Sequence, residues 1–336
     1  MIAKSESIVI DDLTFEKYEE SLLVSVAETA STLFSREPTL LRLCGKFIVV
    51  GDLHGNIQDL YRIFCTYDTP PQTSYLFLGD MIDRGKFSLQ TLVLIFSLKI
   101  SYPNHVYVIR GNHEFGNVCK KKGFYEELSK FYEKPQAIFE SFVRCFGFIP
   151  LAATIGSVFF VHGGLSPGLV TLSQIESISR PISTYDDPII NGMMWSDPGT
   201  IKDLFSNNLR GTGFTFSCAA FDRFMKKNNL TQLVRGHQCV DAFEYSYNNR
   251  LLTVFSASNY DPEKPNKAGI AVISRTTHAE PKIIGEKGIK TRAMRNSISF
   301  SMLPVLNSHK SHSLPKDGTM GRRLIRNRTM KVYDFE

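Results

Sequence analysis

Six apolar runs along this 336-residue chain end in the same grammar, and that repetition restricts the possible folds more than any other feature. They are KFIVVGDLHGN (46–56), YLFLGDMIDRG (75–85), YVIRGNHE (107–114), VFFVHGG (158–164), QLVRGH (232–237) and TVFSASNY (253–260). In the first five, a β-rich stretch reaches a glycine beside a side chain able to ligate a metal or hold a phosphate. Glycine lets the backbone turn sharply and approach a ligand closely. In open α/β sheets, ligands sit outside the carboxyl ends of strands. One site shared by several strand ends is therefore expected. Helical patterns alternate with these runs from Lys46 to about Arg275, the signature of a layered α/β domain.

The side chains at the strand ends form a chemical set. Asp52 and His54, two apart on one loop, can point at a single ion; Asp80 offers a carboxylate able to bridge two ions; Asn112, His162 and His237 can complete the ligand set. Mixed oxygen and nitrogen donors without thiolate suit manganese, iron or zinc in a dinuclear hydrolytic centre. Two divalent cations would outweigh the carboxylates of Asp52 and Asp80, leaving a positive site for a phosphate dianion. Such a pair activates water for direct attack on phosphorus, so no phosphoenzyme is needed. Expelling an alkoxide also needs a proton, and His113, beside Asn112, is the candidate general acid. Asp83, on the Asp80 loop, is expected to bond that imidazole and favour its cationic form. Arg84 and Arg210 offer planar forks to phosphate oxygens, and Tyr260 a further hydrogen bond. Arg84 ranks above Arg210, because it shares a loop with Asp80 and Asp83.

Each motif alone has an ordinary explanation: Asp-His and Asp-Arg-Gly strings are common turn chemistry, and a lone strand-end histidine is usually a satisfied core residue. Together they are hard to dismiss, since four of the eight histidines (His54, His113, His162, His237) stand at glycine-marked strand ends. Other residues read more plainly. Trp195 is a core residue or loop anchor, Glu114 a loop support, and Asp197 either a turn former or a neighbour of the site. The run CKKKG (119–123) is a solvated basic edge or a flank of bound substrate.

The six cysteines form no Cys-x-x-Cys pair, and none is followed six positions later by Arg, so scattered reduced thiols are expected and a cysteine nucleophile is disfavoured. The first residues are acidic where a secretory signal would be apolar, and the longest apolar stretch, TLVLIFSLKI (91–100), is about half a membrane span. A soluble protein of the cytoplasm or nucleus is expected. Net charge is +6, yet residues 286–336 hold eleven Lys/Arg against four Asp/Glu, leaving −1 for the rest. The basicity belongs to a tail that is expected to be mobile; nucleic acid is an expected partner only weakly, through that tail. Thr329 in RNRTM is a weak kinase-site candidate. The expected organisation is an N-terminal helical segment at 1–40 packed on the body, a catalytic domain at 41–276 and the tail at 277–336. Within the first segment, an amphipathic helix over 14–35 would bury Leu22, Val26, Ala30 and Leu33.

From Leu33 to Ile270 the chain resembles the catalytic subunit of the metal-dependent phosphoprotein phosphatase family, most like the type-1 serine/threonine enzymes. GDLHGN, GDMIDRG, RGNHE, GFYEEL, HGGLSP, WSDP, RGTGFTF, RGHQ and FSASNY carry the likeness. The resemblance implies a central β-sandwich flanked by α-helices in four layers, with two divalent metal ions at its edge: manganese foremost, iron or zinc as alternatives. It implies that Asp52, His54 and Asp80 hold one ion and that Asp80, Asn112, His162 and His237 hold the other. His113 would be the acid paired with Asp83, and Arg84, Asn112, Arg210 and Tyr260 would contact phosphate. It implies a phosphoserine/phosphothreonine phosphatase with phosphoprotein substrates and regulatory or targeting subunits. The chain departs from the pattern at Asn56, where Gln is usual; at Lys122, for Tyr near the substrate groove; at Leu209, for Asp; and at Asp261, for Cys. Toxins that bond that cysteine should lose their covalent step. Two other readings use the same residues: a phosphoesterase of small diesters or dinucleotides, and a binding scaffold that keeps the site.

Overall fold

The computed structural model describes residue 15, residues 17–275 and residues 277–285. Its first six strands are β1 (Leu40–Leu43), β2 (Phe47–Val50), β3 (Tyr75–Phe77), β4 (Val106–Val108), β5 (Ala152–Ile155) and β6 (Val158–Val161). Then come β7 (Asp197–Pro198), β8 (Phe205–Asn207), β9 (Phe214–Phe216), β10 (Gln232–Arg235), β11 (Phe243–Ser246), β12 (Leu251–Val254), β13 (Gly269–Arg275) and β14 (His278–Ile283). The helices are α1 (Glu20–Arg36), α2 (Ile57–Tyr67), α3 (Ser88–Ser101), α4 (Gly116–Lys122), α5 (Phe124–Phe131), α6 (Gln136–Phe146), α7 (Leu172–Glu176), α8 (Pro188–Trp195) and α9 (Cys218–Lys227). A six-stranded sheet runs β1-β5-β6-β10-β12-β11, a five-stranded one β14-β13-β2-β3-β4, and a small third one β7-β9-β8.

The layering follows from strands that are apolar on both sides. All four residues of β2 and of β6 are buried. Because successive strand side chains face opposite ways, each strand feeds two cores. Phe47 and Val49 of β2 meet Val158 and Phe160 of β6 between the two large sheets. Ile48 and Val50 instead pack under α1, α2, α3, α5 and α6, against residues such as Val26, Ile63, Phe96 and Phe142. Phe159 and Val161 pack under α8 and α9, with Met193, Met194, Phe221 and Phe224. At about 1.5–3 kcal/mol per fully buried large apolar side chain, these cores hold the four-layer stack together. It is the sandwich with flanking helices that the family resemblance implied. No helix among the described residues is long and apolar enough to cross a membrane.

Two sequence expectations shift. α1 begins at Glu20 and buries Leu23, Val26, Ala27, Ala30 and Phe34, while Leu22 and Leu33 are only half-buried. The stripe turns toward Phe34 because its ring packs edge-on against Phe96, centroids 5.4 Å apart, and an aromatic residue buries more area than Leu33 would. The expected tail boundary at 277 also moves: β14 pairs antiparallel with β13 and buries Ala279. HAEPKI does not read as a strand, yet it covers the edge that β13 would otherwise expose, and its Pro281 is tolerated because β14 is itself an edge. The rest of the expected tail, Thr329 included, and residues 1–14 lie outside the described residues.

Strand direction assembles the site. β2, β3 and β4 pair in parallel in one large sheet, and β6, β10 and β12 do so in the other. Just past β2 and β12 the two sheets join through a parallel bridge between Asp52 and Phe255. The Gly51 N–H donates to Ser256 Oγ at 2.8 Å, and the Ser256 N–H to the Asp52 carbonyl at 3.1 Å. Three carboxyl ends from each sheet therefore open on one edge.

Candidate active site

Asp52 and His54 follow β2; Asp80, Asp83 and Arg84 follow β3; Asn112 and His113 follow β4; His162 follows β6, His237 β10 and Tyr260 β12. Arg210 comes from the loop between β8 and β9. Asp52, His54, Asp80, Asn112, His162 and His237 are all buried, as are Asp83 and His113. The loops turn tightly enough that His54 (φ 46°), Asp80 (50°), Asp83 (71°), Arg84 (70°) and His237 (70°) adopt the left-handed conformation. Non-glycine residues there are strained by about 1–3 kcal/mol each, and such strain gathers at functional sites. Two glycines make the crowding possible: a Cβ on Gly111 would lie 2.3 Å from Asp80 Oδ1, and one on Gly236 2.2 Å from Asp52 Oδ1.

The donor atoms converge around Asp80. Its Oδ2 lies 3.7 Å from His54 Nε2, 3.4 Å from His162 Nε2 and 3.9 Å from His113 Nε2. Asp52 Oδ2 is 3.8 Å from His54 Nε2. Asn112 Oδ1 is 2.8 Å from both His162 Nε2 and His237 Nδ1. One group with ligand atoms within 4.8 Å of one another is His54, Asp80 and His113; the other is Asp80, His162 and His237. The first differs from the expected trio in containing His113 in place of Asp52, whose two oxygens accept the His237 N–H at 2.9 and 3.0 Å.

These residues fit a pair of cations. His54 donates its Nδ1–H to the Ile82 carbonyl at 3.0 Å, and His162 its Nδ1–H to that of Leu78 at 2.9 Å. The Nε2 of each is thus left as a lone pair facing carboxylate or amide oxygen. Acceptors facing acceptors in a buried site are unfavourable unless a cation lies between them, and spacings of 3.4–3.8 Å suit ligand bonds of about 2 Å. The electrostatics agree. Burial pushes the Asp52 and Asp80 carboxyls above their ordinary range, against the pull of His162 on the first and His113 on the second. Burial likewise depresses His54, His162 and His237. Burial at this cluster disfavours ionised carboxylates, which a cation would stabilise.

His113 and Asp83 touch, Nδ1 to Oδ2, at 2.6 Å. Burial lowers His113 to about 4, with Asp80 the main opposing charge, and raises Asp83 to about 7 despite the Phe124 N–H it accepts. Burial thus pushes both groups toward their neutral forms, against Asp80 for His113 and against the Phe124 N–H, Arg84 and Lys122 for Asp83. The contact orients the ring, leaving Nε2 toward the site. The His113 N–H, donating to Asp80 Oδ1 at 2.8 Å, ties the same residue to the ligand cluster.

Glu114 is a staple, its oxygens accepting N–H groups of Asp80 and Met81 at 2.8 Å and of Gly111 at 2.9 Å. Asp197 is a site neighbour: it accepts from Arg210 Nε at 2.7 Å and Arg235 Nη2 at 2.9 Å. Although burial acts to raise its pKa, these two arginines hold it below the ordinary carboxylate value. Trp195 stands edge-on to His237, centroids 5.7 Å apart, and Tyr260 stacks on His54 at 5.0 Å. Burial pushes the Tyr260 hydroxyl up to about 12, so it remains a donor. Both Arg84 and Arg210 are exposed, but Arg210 is aimed by the Asp197 carboxylate, whereas Arg84 has no salt-bridge partner among the described residues. Sequence reasoning missed Arg235, Arg110 and Asp59. Both arginines precede a strand-end glycine, a repeat that was legible, and both are buried holding loop carbonyls. Asp59 accepts the N–H and hydroxyl of Ser258, fixing the turn before Tyr260. Asn56 caps α2 and donates to the Ser258 carbonyl at 3.2 Å, Asp261 accepts the Lys264 N–H on its backbone carbonyl within the loop at 3.1 Å, and Leu209 is fully exposed.

Comparison with known proteins places this geometry. The sequence profile of the calcineurin-like phosphoesterase family matches residues 45–241. The chain is 38% identical over 255 residues to the serine/threonine-protein phosphatase PP2A-like PPG1 of Candida albicans, covering 75% of this chain and 61% of that relative. It thus spans about three-fifths of that relative's length. A Saccharomyces cerevisiae serine/threonine phosphatase with similarity to human phosphatase PP5 superposes with a TM-score of 0.74 at 29% identity, over 80% of this chain and 90% of that one. A cold-active protein-tyrosine phosphatase from a Shewanella species shares the fold, with a TM-score of 0.51 at 15% identity over 76% of this chain and 84% of that one.

Proposed function

This chain belongs to the calcineurin-like phosphoesterase family, and from that premise we propose that it is a metal-dependent phosphatase of phosphoserine and phosphothreonine in proteins. The observation that carries the reading is the completeness of the donor set: six buried oxygen and nitrogen ligands from five strand ends, beside a histidine–aspartate pair and an aimed arginine. The phosphatase names of its relatives support the substrate class.

Asp52, His54 and Asp80 would hold one divalent cation, and Asp80, Asn112, His162 and His237 a second, with manganese foremost and iron or zinc as alternatives. When bound, such a pair acidifies water and neutralises phosphate charge. Arg210, steered by Asp197, and Arg84 grip phosphoryl oxygens, joined by Tyr260 and the Asn112 amide. His113 gives a proton from Nε2 to the departing serine or threonine oxygen. Asp83 keeps that ring from turning, and Glu114 keeps the Asp80 and Asn112 loops at fixed separation. Six free cysteines suit a reducing compartment, the cytoplasm or nucleus, and regulatory subunits belong to the same reading.

The test is hydrolysis of phosphoserine and phosphothreonine peptides by the full chain, with metal content measured on the same sample and a phosphodiester substrate run beside them. Peptide turnover that chelation removes and manganese restores is expected. A metal-loaded chain that leaves the peptides intact, or that prefers the diester, overturns the proposal.

A further inference from the structure

The chain places a cationic rim beside the reaction centre that the phosphoryl chemistry above does not use. α4 ends on Lys120, Lys121 and Lys122, all exposed. The turn after them is locked to the loop that presents Asp83 and Arg84. The Phe124 N–H donates to Asp83 Oδ1 at 2.7 Å, and the Arg84 N–H to the Lys122 carbonyl at 3.4 Å. Gly123 packs on the same backbone, where an added Cβ would stand 3.4 Å from Arg84 N. Lys86, also exposed, lies two residues beyond Arg84.

Nearby acids are turned away from these lysines. Asp83 faces inward to His113, Glu126 pairs with Lys130 at 2.9 Å, and Glu127 is buried, accepting the Ser88 and Leu89 N–H groups. None of Arg84, Lys86, Lys120, Lys121 and Lys122 has a carboxylate oxygen within 4.0 Å among the described residues. Lys120 lies over the Tyr125 ring, 5.5 Å from its centroid. One lysine in a last helical turn is explained by the helix dipole. Three in succession, beside a loop whose two cations also lack a carboxylate partner among the described residues, ask for an anion from outside.

We propose that Lys120, Lys121 and Lys122, with Lys86, form a subsite for a second anionic group, so that preferred substrates carry an acidic side chain or another phosphate beside the phosphoresidue being hydrolysed. The inference deepens the phosphatase reading and rests on it. Exposed ion pairs are individually weak, so a gain of about two- to fivefold per engaged lysine and about tenfold for the rim is expected.

The experiment uses the metal-loaded full chain and four substrates: p-nitrophenyl phosphate and phosphothreonine peptides flanked by alanine, by glutamate or by phosphoserine. For wild type, kcat/KM on one or both anionic peptides should exceed that on the alanine peptide about tenfold, mainly through KM, with the difference shrinking as salt rises. A gain for glutamate and phosphoserine alike identifies any anion as the ligand; a gain for phosphoserine alone identifies phosphate. The variant Lys120→Gln/Lys121→Gln/Lys122→Gln should bring the ratio close to one, whereas the corresponding triple Arg variant should keep it. Equal rates on all three peptides, or a preference that survives the Gln variant with normal melting, overturns the subsite while leaving the phosphatase reading intact. No hydrolysis of any of the four substrates overturns both.

Discussion

Glu114 touches no substrate in the proposed reaction, yet its single carboxylate gathers three N–H groups from the two loops that carry Asp80 and Asn112. In Glu114→Gln an amide nitrogen replaces one accepting oxygen and faces buried donors. The expected outcome is a loss of about 1–3 kcal/mol of stability, measured by urea denaturation, together with at least a tenfold fall in turnover because the ligand loops lose their spacing. His113→Asn acts differently. Turnover should drop about 10²- to 10⁴-fold while the melting temperature stays close to wild type, since the ring contributes chemistry more than packing; near-normal kcat in that variant would reject its role as acid. Much at this scale was legible, because each ligand sits in a run whose apolar half and glycine are chemically obvious. Asp197 was not, because WSDP reads equally as a turn, and only the fold brings Arg210, thirteen residues on, and Arg235, thirty-eight on, to its two oxygens. Burial was equally hidden: sequence shows that His113 and Asp83 can be partners but not that both are out of solvent.

Among the elements, α1 and α3 are joined by an ion pair between a buried lysine and a half-buried glutamate. Lys99, buried at 1% exposure, bonds Glu37 at the end of α1 and the Pro103 carbonyl at 3.1 Å. Burial raises the Glu37 carboxyl and lowers the Lys99 amine, each against the attraction of the other. Between the ordinary carboxylate value and the raised one, the folded chain binds more protons than the unfolded, so this contribution to stability falls as pH rises. Between the depressed lysine value and the ordinary one, the unfolded chain binds more, so stability there rises with pH. Lys99→Met alone strands a buried charge and should lose about 3–5 kcal/mol. Glu37→Leu/Lys99→Met should recover most of that, come closest to or exceed wild type at about pH 7, and flatten both slopes; denaturant titrations at acidic, neutral and alkaline pH check the three claims. The helices and long apolar strands could be read from periodicity. The sandwich could not: strands such as β2 and β6, buried on both faces, show no polar alternation to say which side meets which layer, and only the family resemblance implied it. The two- and three-residue strands of the small sheet were below what any pattern resolves.

For the molecule as a whole, the candidate ligands are divided between the two large sheets: Asp52, His54, Asp80 and Asn112 from one, His162 and His237 from the other. Ion binding should therefore stabilise the entire fold as well as enable turnover. At a hundredfold excess over Kd, one bound ion adds about 2.7 kcal/mol, which for a domain of this size is a rise of several degrees in melting temperature, about 2–4 °C per kcal/mol. Chelation should reverse it. A melting temperature indifferent to manganese and to chelator would count against a site shared by both sheets. Gly236→Ala, whose methyl group would collide with Asp52, should abolish that thermal response. The bridge between Asp52 and Phe255 ties the two sheets together at the edge where the ligands lie. It works as a clasp at the open end of a folded book, and the Ser256 N–H held by the Asp52 carbonyl is its latch. Deuterium uptake at that one amide should slow sharply when manganese is added, making it a built-in gauge of whether the two covers are shut.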